Sequence, residues 1–206
     1  MTNNLDVQIV LDRSGSMANA WDDTLGGLNE YVKKLAGDNS VNAKITLSVF
    51  DTESIETIRH AAPAKEFNAV TDKEVFPRGG TPLLDAVGQS INDMQTRLIN
   101  HHKALIVMTD GHENSSREHT KASVKAMIEK AQREDWLVTY LGADHDAWGQ
   151  AQGLGFAATH IGQYDKKATR EAFGVMAANV ANYAETGAAS SASFTREQRA
   201  RMQGEK

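Results

Sequence analysis

Three short polar clusters carry hydroxyl and carboxylate side chains that could bind a metal ion. They lie at residues 12–16 (DRSGS), 79–81 (GGT) and 109–111 (TDG). Carboxylate and hydroxyl oxygens are hard donors, which suit Mg²⁺ or Mn²⁺ and suit soft metals poorly. If the clusters meet, the candidate metal ligands are Asp12, Ser14, Ser16, Thr81 and Asp110.

The elements next to these clusters predict that they do meet. Residues 7–12 and 103–109 are apolar runs of strand length, and each ends in a polar cluster. Such runs are typical of central strands buried on both faces of a parallel sheet. Pro82 stands where a helix can begin, directly after the second cluster, and that helix is expected to run to about residue 100. Loops that leave the C-terminal ends of parallel strands converge at one edge, where ligands bind.

The rest of the chain alternates between strand and helix patterns, which predicts an α/β fold. We expect a doubly wound, mostly parallel sheet with one antiparallel edge strand and helices on both faces. The expected edge strand is the second one of a hairpin. The remaining predicted elements are a helix over 21–37, the hairpin strands 43–51 and 54–61, a helix over 117–135, a strand over 136–141, a short helix over 146–152, a weak strand over 158–161 and a last helix over 166–184.

Length and composition limit the possible classes of protein. The 206 residues, 40% apolar and 24% charged, suit one globular domain over residues 1–186, followed by a flexible linker and charged tail over 187–206. A net charge of −5 without a basic stripe argues against nucleic acid as a partner. The absence of cysteine excludes disulfides and thiolate ligands. We find no export signal and no membrane-spanning run, so a cytoplasmic location is expected.

The spacing Asp12-x-Ser14-x-Ser16, together with Thr81 and Asp110, resembles the metal-ion-dependent adhesion site of the von Willebrand factor A family. This resemblance implies the Rossmann-like fold of that family. It also implies that the three hydroxyls coordinate the ion and that the two aspartates bind it directly or through water. One coordination position then stays open for an Asp or Glu carboxylate of a partner protein. The compact, cysteine-free chain resembles free-standing bacterial or phage members more than extracellular adhesion receptors.

We therefore predict a protein-binding module that depends on a divalent metal and has no catalytic residues. One alternative is a Mg²⁺-dependent phosphoryl-transfer or hydrolytic enzyme on a similar open sheet. The sequence disfavours it, because Ser14 stands where haloacid-dehalogenase-like phosphatases have a second aspartate, and no Walker motif is present. Another alternative is a structural component that uses the metal site for self-assembly. The oligomeric state is left open.

Other polar residues have simpler interpretations. The three hydroxyls could merely cap helices, but capping does not require the clusters to occur together. We expect five further polar residues on the same rim to be exposed loop residues, an interpretation that we favour over a second metal site. They are His112, Glu113, Asp144, His145 and Asp146. Solvated surface positions are expected for Arg13 and Arg78, which could also meet an acidic partner. We expect His101 and His102 to lie at the end of a helix. We expect the three tryptophans to pack in the core or at the rim; they are Trp21, Trp136 and Trp148.

Overall fold

A six-stranded sheet forms the centre of the molecule. The structure is a computed structural model and describes residues 3–97, 101–143 and 146–205. In the order of the chain, the strands are β1 (Asn3–Asp12), β2 (Val41–Phe50), β3 (Ile55–Pro63), β4 (His102–Thr109), β5 (Leu137–Gly142) and β6 (Ile161–Gln163). Their order across the sheet is β3-β2-β1-β4-β5-β6. Among the strand pairs of the described residues, only β2–β3 is antiparallel, so the predicted antiparallel edge strand is confirmed.

Helices cover both faces of this sheet. They are α1 (Trp21–Gly37), α2 (Leu83–Thr96), α3 (Lys121–Arg133), α4 (Ala147–Gly153), α5 (Thr169–Thr186) and α6 (Arg196–Met202). One apolar core joins one face of the sheet to α1, α5 and α6, and a second core joins the other face to α2, α3 and α4. Side chains of a strand alternate between faces, so β1 contributes Leu5, Val7, Ile9 and Leu11 to the first core and Val10 to the second. The doubly wound α/β prediction is confirmed.

Several predicted boundaries differ from those in the structure. β1 begins at Asn3 because it pairs with β2 along its whole length. α2 ends at Thr96, although the sequence predicted a helix to about residue 100. The last predicted residues of that helix, 98–100, lie outside the described part. α3 begins four residues later than expected, where Thr120 and Ser123 form a capping box. Of the strand predicted over 158–161, residues 158–160 form a 3₁₀ turn, and β6 begins at Ile161. The last long helix begins at Thr169 instead of residue 166.

The C-terminal segment, residues 187–205, packs against the domain in the structure, whereas the sequence predicted a flexible linker and tail over 187–206. Gly187 ends α5 in the left-handed conformation, with a φ of 70°. The chain then turns back and buries Phe194 and Met202 in the first core. A Cβ on Gly162 would lie 3.1 Å from the Met202 Cε atom and 3.2 Å from the Phe194 ring, so the segment packs closely on β6. These two apolar anchors explain why a segment of polar composition folds onto the domain.

The two histidines that the sequence placed at a helix end lie elsewhere. His101 directly precedes β4, and His102 is the first residue of that strand. The His102 ring contacts the edge of Tyr183 at 5.7 Å between ring centroids.

Among the helices in the described part of the chain, none has the length and hydropathy needed to cross a bilayer.

Candidate metal site

Asp12 is the last residue of β1 and lies at the bottom of the site, fully buried. Its Oδ1 accepts a hydrogen bond from the Ser14 backbone N–H at 2.6 Å, and its Oδ2 accepts one from the Thr109 hydroxyl at 2.6 Å. The pKa of this carboxyl is raised to about 6, mainly by burial and to a smaller extent by the nearby Asp110, against the lowering effect of these hydrogen bonds. A buried carboxylate in this state gains stability from a nearby cation.

Ser14, Ser16 and Asp110 form a chain of hydrogen bonds between two loops. The hydroxyls of Ser14 and Ser16 lie 3.0 Å apart, and the Ser16 hydroxyl donates to Asp110 Oδ1 at 2.6 Å. Asp110 directly follows β4, whereas the serines follow β1, so 94 residues of sequence separate the two ends of the last bond. The structure therefore brings the first and third polar clusters together, as the strand order of a parallel sheet requires.

The second cluster reaches the same place through backbone contacts. The Gly15 N–H donates to the Gly79 carbonyl at 3.0 Å. A Cβ on Gly111 would lie 2.9 Å from the Thr81 hydroxyl and 3.7 Å from Asp12 Oδ2, so both oxygens border the same small space beside Gly111. The Thr81 backbone N–H is held by the Asn114 side chain at 2.9 Å. All five predicted site residues thus lie at one edge of the sheet.

Sequence reasoning missed two further residues at this site, both of which follow β6. The Lys166 ammonium lies 2.5 Å from Asp110 Oδ2 and donates to the Ser16 carbonyl at 3.2 Å. Tyr164 is buried, and its pKa is raised first by burial and then by the carboxylates Asp110 and Asp12. The loop after β6 leaves the same edge as the other clusters, and that rule was the one available signal.

The oxygens gathered here fit a hard divalent cation. The described residues contain no group of three or more His, Cys, Asp and Glu side chains that could hold a metal, so an ion at this edge would depend on hydroxyls beside the two carboxylates. The Asp110 side chain is inaccessible to solvent and already attracts an ammonium group. Burial also raises the pKa of Asp12, so negative charge at this site is costly unless a cation neutralises it.

The arginine inside the first cluster is buried, contrary to its predicted solvated position. Arg13 is 3% exposed, and its Nε lies 2.5 Å from Asp51 Oδ2. Arg78, which is partly exposed, contacts the same oxygen at 2.9 Å. Burial would raise the pKa of Asp51, but hydrogen bonds from Arg78, the Glu53 N–H and Arg13 outweigh it, so the pKa is lowered. The sequence could not reveal the Arg13 pair, because Asp51 lies 38 residues away.

The acidic and histidine residues on the rim do not form a second metal cluster within the described part of the chain. Glu113 accepts hydrogen bonds from the backbone N–H groups of Leu84, Ser115 and Ser116, so it organises the loop. Asp146, just before α4, and His112 are both exposed. Asp144 and His145 lie outside the described residues. Trp21 and Trp136 are buried, as predicted, and Trp148 packs beneath the Arg199 guanidinium.

The fold and the site together define an α/β protein with oxygen-rich loops at the C-terminal edge of a mostly parallel sheet. The sequence model of the von Willebrand factor type A domain matches residues 6–173. The chain therefore belongs to the von Willebrand factor A family. No curated protein matches it significantly in sequence.

Solved structures share this fold at low sequence identity. The von Willebrand domain of the pilus tip protein Mfa5 from Porphyromonas gingivalis superposes with a TM-score of 0.67 at 12% identity, over 88% of this chain and 96% of that one. Manganese-loaded TRAP protein from Plasmodium vivax gives a TM-score of 0.55 at 14% identity, over 80% and 70%. Proximal thread matrix protein 1 from mussel byssus, with a zinc-occupied MIDAS motif, gives 0.60 at 12%, over 86% and 48%.

Proposed function

We propose that this chain is a protein-binding module that depends on a divalent metal. Its ligands would be the five residues predicted from the sequence, Asp12, Ser14, Ser16, Thr81 and Asp110. The main support is the hydrogen bond from Ser16 to Asp110, which joins two distant loops around the buried Asp12. The manganese in TRAP and the zinc in the mussel protein support a divalent cation in this chain as well.

The ligand chemistry favours Mg²⁺ or Mn²⁺ as the ion. Two carboxylates would balance its double charge, while the hydroxyls add oxygen ligands without adding charge. When bound, the ion would supply a strong electrostatic attraction for a carboxylate oxygen. A partner with an exposed Asp or Glu could then complete the coordination. The protein residues hold the cation and align its open side, and the partner supplies the remaining oxygen.

The geometry does not favour the phosphoryl-transfer alternative. A nucleophilic aspartate needs a free oxygen aimed at the substrate. Asp12 is fully buried, and each of its oxygens accepts a hydrogen bond, one from Ser14 and one from Thr109. We therefore propose a binding function without catalysis.

The test compares two aspartates at the same edge of the sheet. Asp110→Asn removes one carboxylate of the site, whereas Asp146→Asn neutralises an exposed carboxylate near α4 and serves as the control. Titration calorimetry with Mg²⁺ or Mn²⁺ is expected to show one site in the wild type. Asp110→Asn should weaken it at least about a hundredfold, since loss of a supporting residue alone typically costs ten- to a hundredfold.

Partner capture from lysate should follow the same pattern. We expect the wild type and Asp146→Asn to retain bound protein in Mg²⁺ and to release it in chelator. Asp110→Asn should retain little in either buffer. A wild-type chain that takes up no divalent cation in calorimetry would refute the proposal, as would capture that is unchanged by chelator.

A further inference from the structure

A lysine ammonium already lies against one of the two carboxylates of the candidate metal site. Lys166 Nζ is 2.5 Å from Asp110 Oδ2. The other oxygen of Asp110 accepts the hydroxyl of Ser16 at 2.6 Å. Both oxygens of this carboxylate are therefore engaged by groups of the chain itself. The Asp110 side chain is inaccessible to solvent, whereas 39% of the Lys166 side chain is exposed, so the ammonium approaches from the open side of the site.

An ammonium group and a divalent cation compete for such an oxygen. The ammonium has three N–H donors and no lone pair, so it cannot act as a metal ligand. A positive charge within a few ångströms of the ion would also repel it in this partly buried setting. Binding of a metal to Asp110 therefore requires the ammonium to move away.

The backbone of Lys166 is held in place, which keeps its side chain directed at the site. Lys166 begins a 3₁₀ turn that leads into α5. The Thr169 hydroxyl donates to the Lys166 carbonyl at 2.7 Å, and Asp165 Oδ1 accepts the Lys167 N–H at 2.8 Å. The four-carbon stem of a lysine is flexible, so the ammonium can leave Asp110 while the turn stays formed.

We infer that Lys166 competes with the divalent cation for Asp110 and thereby lowers the metal affinity of the site. This inference rests on the proposed function and adds a residue that sets how much free metal is needed for partner binding. The ammonium also neutralises Asp110 in the metal-free protein. When a metal binds, the divalent cation replaces the Lys166 ammonium beside Asp110.

The experiment measures Mg²⁺ affinity by titration calorimetry for the full chain and three variants. Lys166→Met removes the charge but keeps an unbranched side chain, and Lys166→Arg keeps the charge. Lys167→Met removes the same charge from the next residue, which is exposed, and is the matched control. We expect Lys166→Met to bind Mg²⁺ about tenfold more tightly than the wild type, because a hydrogen bond between charged groups no longer has to be broken. Lys166→Arg should stay within about threefold of the wild type, because it keeps the positive charge beside Asp110. Lys167→Met should also stay within about threefold, because the charge it removes is exposed and largely screened.

Thermal melts give a second measurement that does not depend on affinity. In chelator, Lys166→Met should melt below the wild type, because Asp110 has lost its counter-charge. In Mg²⁺, the same variant should show a larger increase in melting temperature than the wild type. A variant that is merely unfolded or poorly packed would show the first effect without the second.

The possible results separate this inference from the proposed function. If the wild type binds Mg²⁺ and Lys166→Met binds it no more tightly than Lys167→Met does, the inference is overturned and the metal site stands. Weaker binding by Lys166→Met would also overturn it. If neither the wild type nor Lys166→Met binds a divalent cation, both proposals fail.

Discussion

At the scale of single residues, the site keeps a carboxylate buried at a cost to stability. Asp12 has an ordinary pKa of 3.8 that rises to about 6 in the folded protein. Its protonated form therefore favours folding. The stabilising contribution of this group is complete below pH 3.8 and is lost as the pH rises through about 6. At neutral pH, the raised pKa corresponds to about 3 kcal/mol of lost stability in the metal-free protein.

We predict that Asp12→Asn stabilises the metal-free protein at pH 7. The amide is neutral, so burial no longer disfavours it, although it accepts fewer hydrogen bonds than the carboxylate does from Ser14 and Thr109. The expected net gain is about 1–2 kcal/mol in the free energy of unfolding, measured in urea with chelator. In saturating Mg²⁺, the order should reverse, because only the wild type gains stability from the ion.

The pH provides the control for this prediction. Near pH 4, the wild-type carboxyl is mostly protonated in the folded state, so the advantage of Asp12→Asn should shrink. A variant that is less stable than the wild type in chelator at both pH values would contradict the argument. Such a result would mean that the hydrogen bonds of the carboxylate outweigh its loss of solvation.

At the scale of elements, a network of hydrogen bonds holds the loop that follows the third cluster, residues 109–111, against α2. Glu113 accepts the Leu84 N–H at 2.9 Å in the first turn of α2, and it accepts the N–H groups of Ser115 and Ser116 within its own loop. Asp85, in that same turn, accepts the N–H groups of residues 117–119. The two carboxylates tie the loop that carries Asp110 to the helix that follows Thr81.

We predict that Glu113→Ala loosens the metal site without removing a ligand. Unpaired backbone N–H groups should lower the free energy of unfolding by about 2 kcal/mol. Mg²⁺ affinity should fall about tenfold, because the loop no longer fixes Asp110 and Thr81 relative to each other. Glu118→Ala, in the same loop, removes an exposed carboxylate that accepts a hydrogen bond from the Gln89 side chain. It should change stability by less than about 0.5 kcal/mol. Equal metal affinity in both variants would show that the loop is not needed for the site.

The elements also show what sequence patterns could predict. The β1 and β4 runs, the apolar face of α1 and the polar clusters at the strand ends all depend on local periodicity, and the structure has them where expected. The late start of α3 depends on its local capping box and also on Asp85, which lies in another helix and accepts hydrogen bonds from the preceding amides. The burial of Arg13 depends on Asp51, a partner 38 residues away. Lys166 lies in a short 3₁₀ turn after β6, and its only sequence signal is its position after a strand of the parallel sheet.

At the scale of the whole molecule, the C-terminal segment closes the first core. Its composition is small and polar over residues 187–193, which is typical of linkers and led to the prediction of a flexible tail. In the structure, Ala192, Phe194 and Met202 are buried against the sheet and α5. The backbone also returns to the domain, because the Asp165 N–H donates to the Met202 carbonyl at 2.9 Å. These few buried residues are too widely spaced to produce a periodic signal in the sequence.

This closure makes the end of the chain part of the folding unit, which a single substitution can test. Met202→Ala removes a fully buried side chain that contacts Gly162 in β6 and should lower the free energy of unfolding by about 2–4 kcal/mol. Glu205→Ala changes an exposed residue of the same segment and should leave the urea midpoint nearly unchanged. If the segment were an unpacked tail, both variants would unfold like the wild type. The loss should appear in one cooperative transition, because Met202 packs in the same core as α1 and α5.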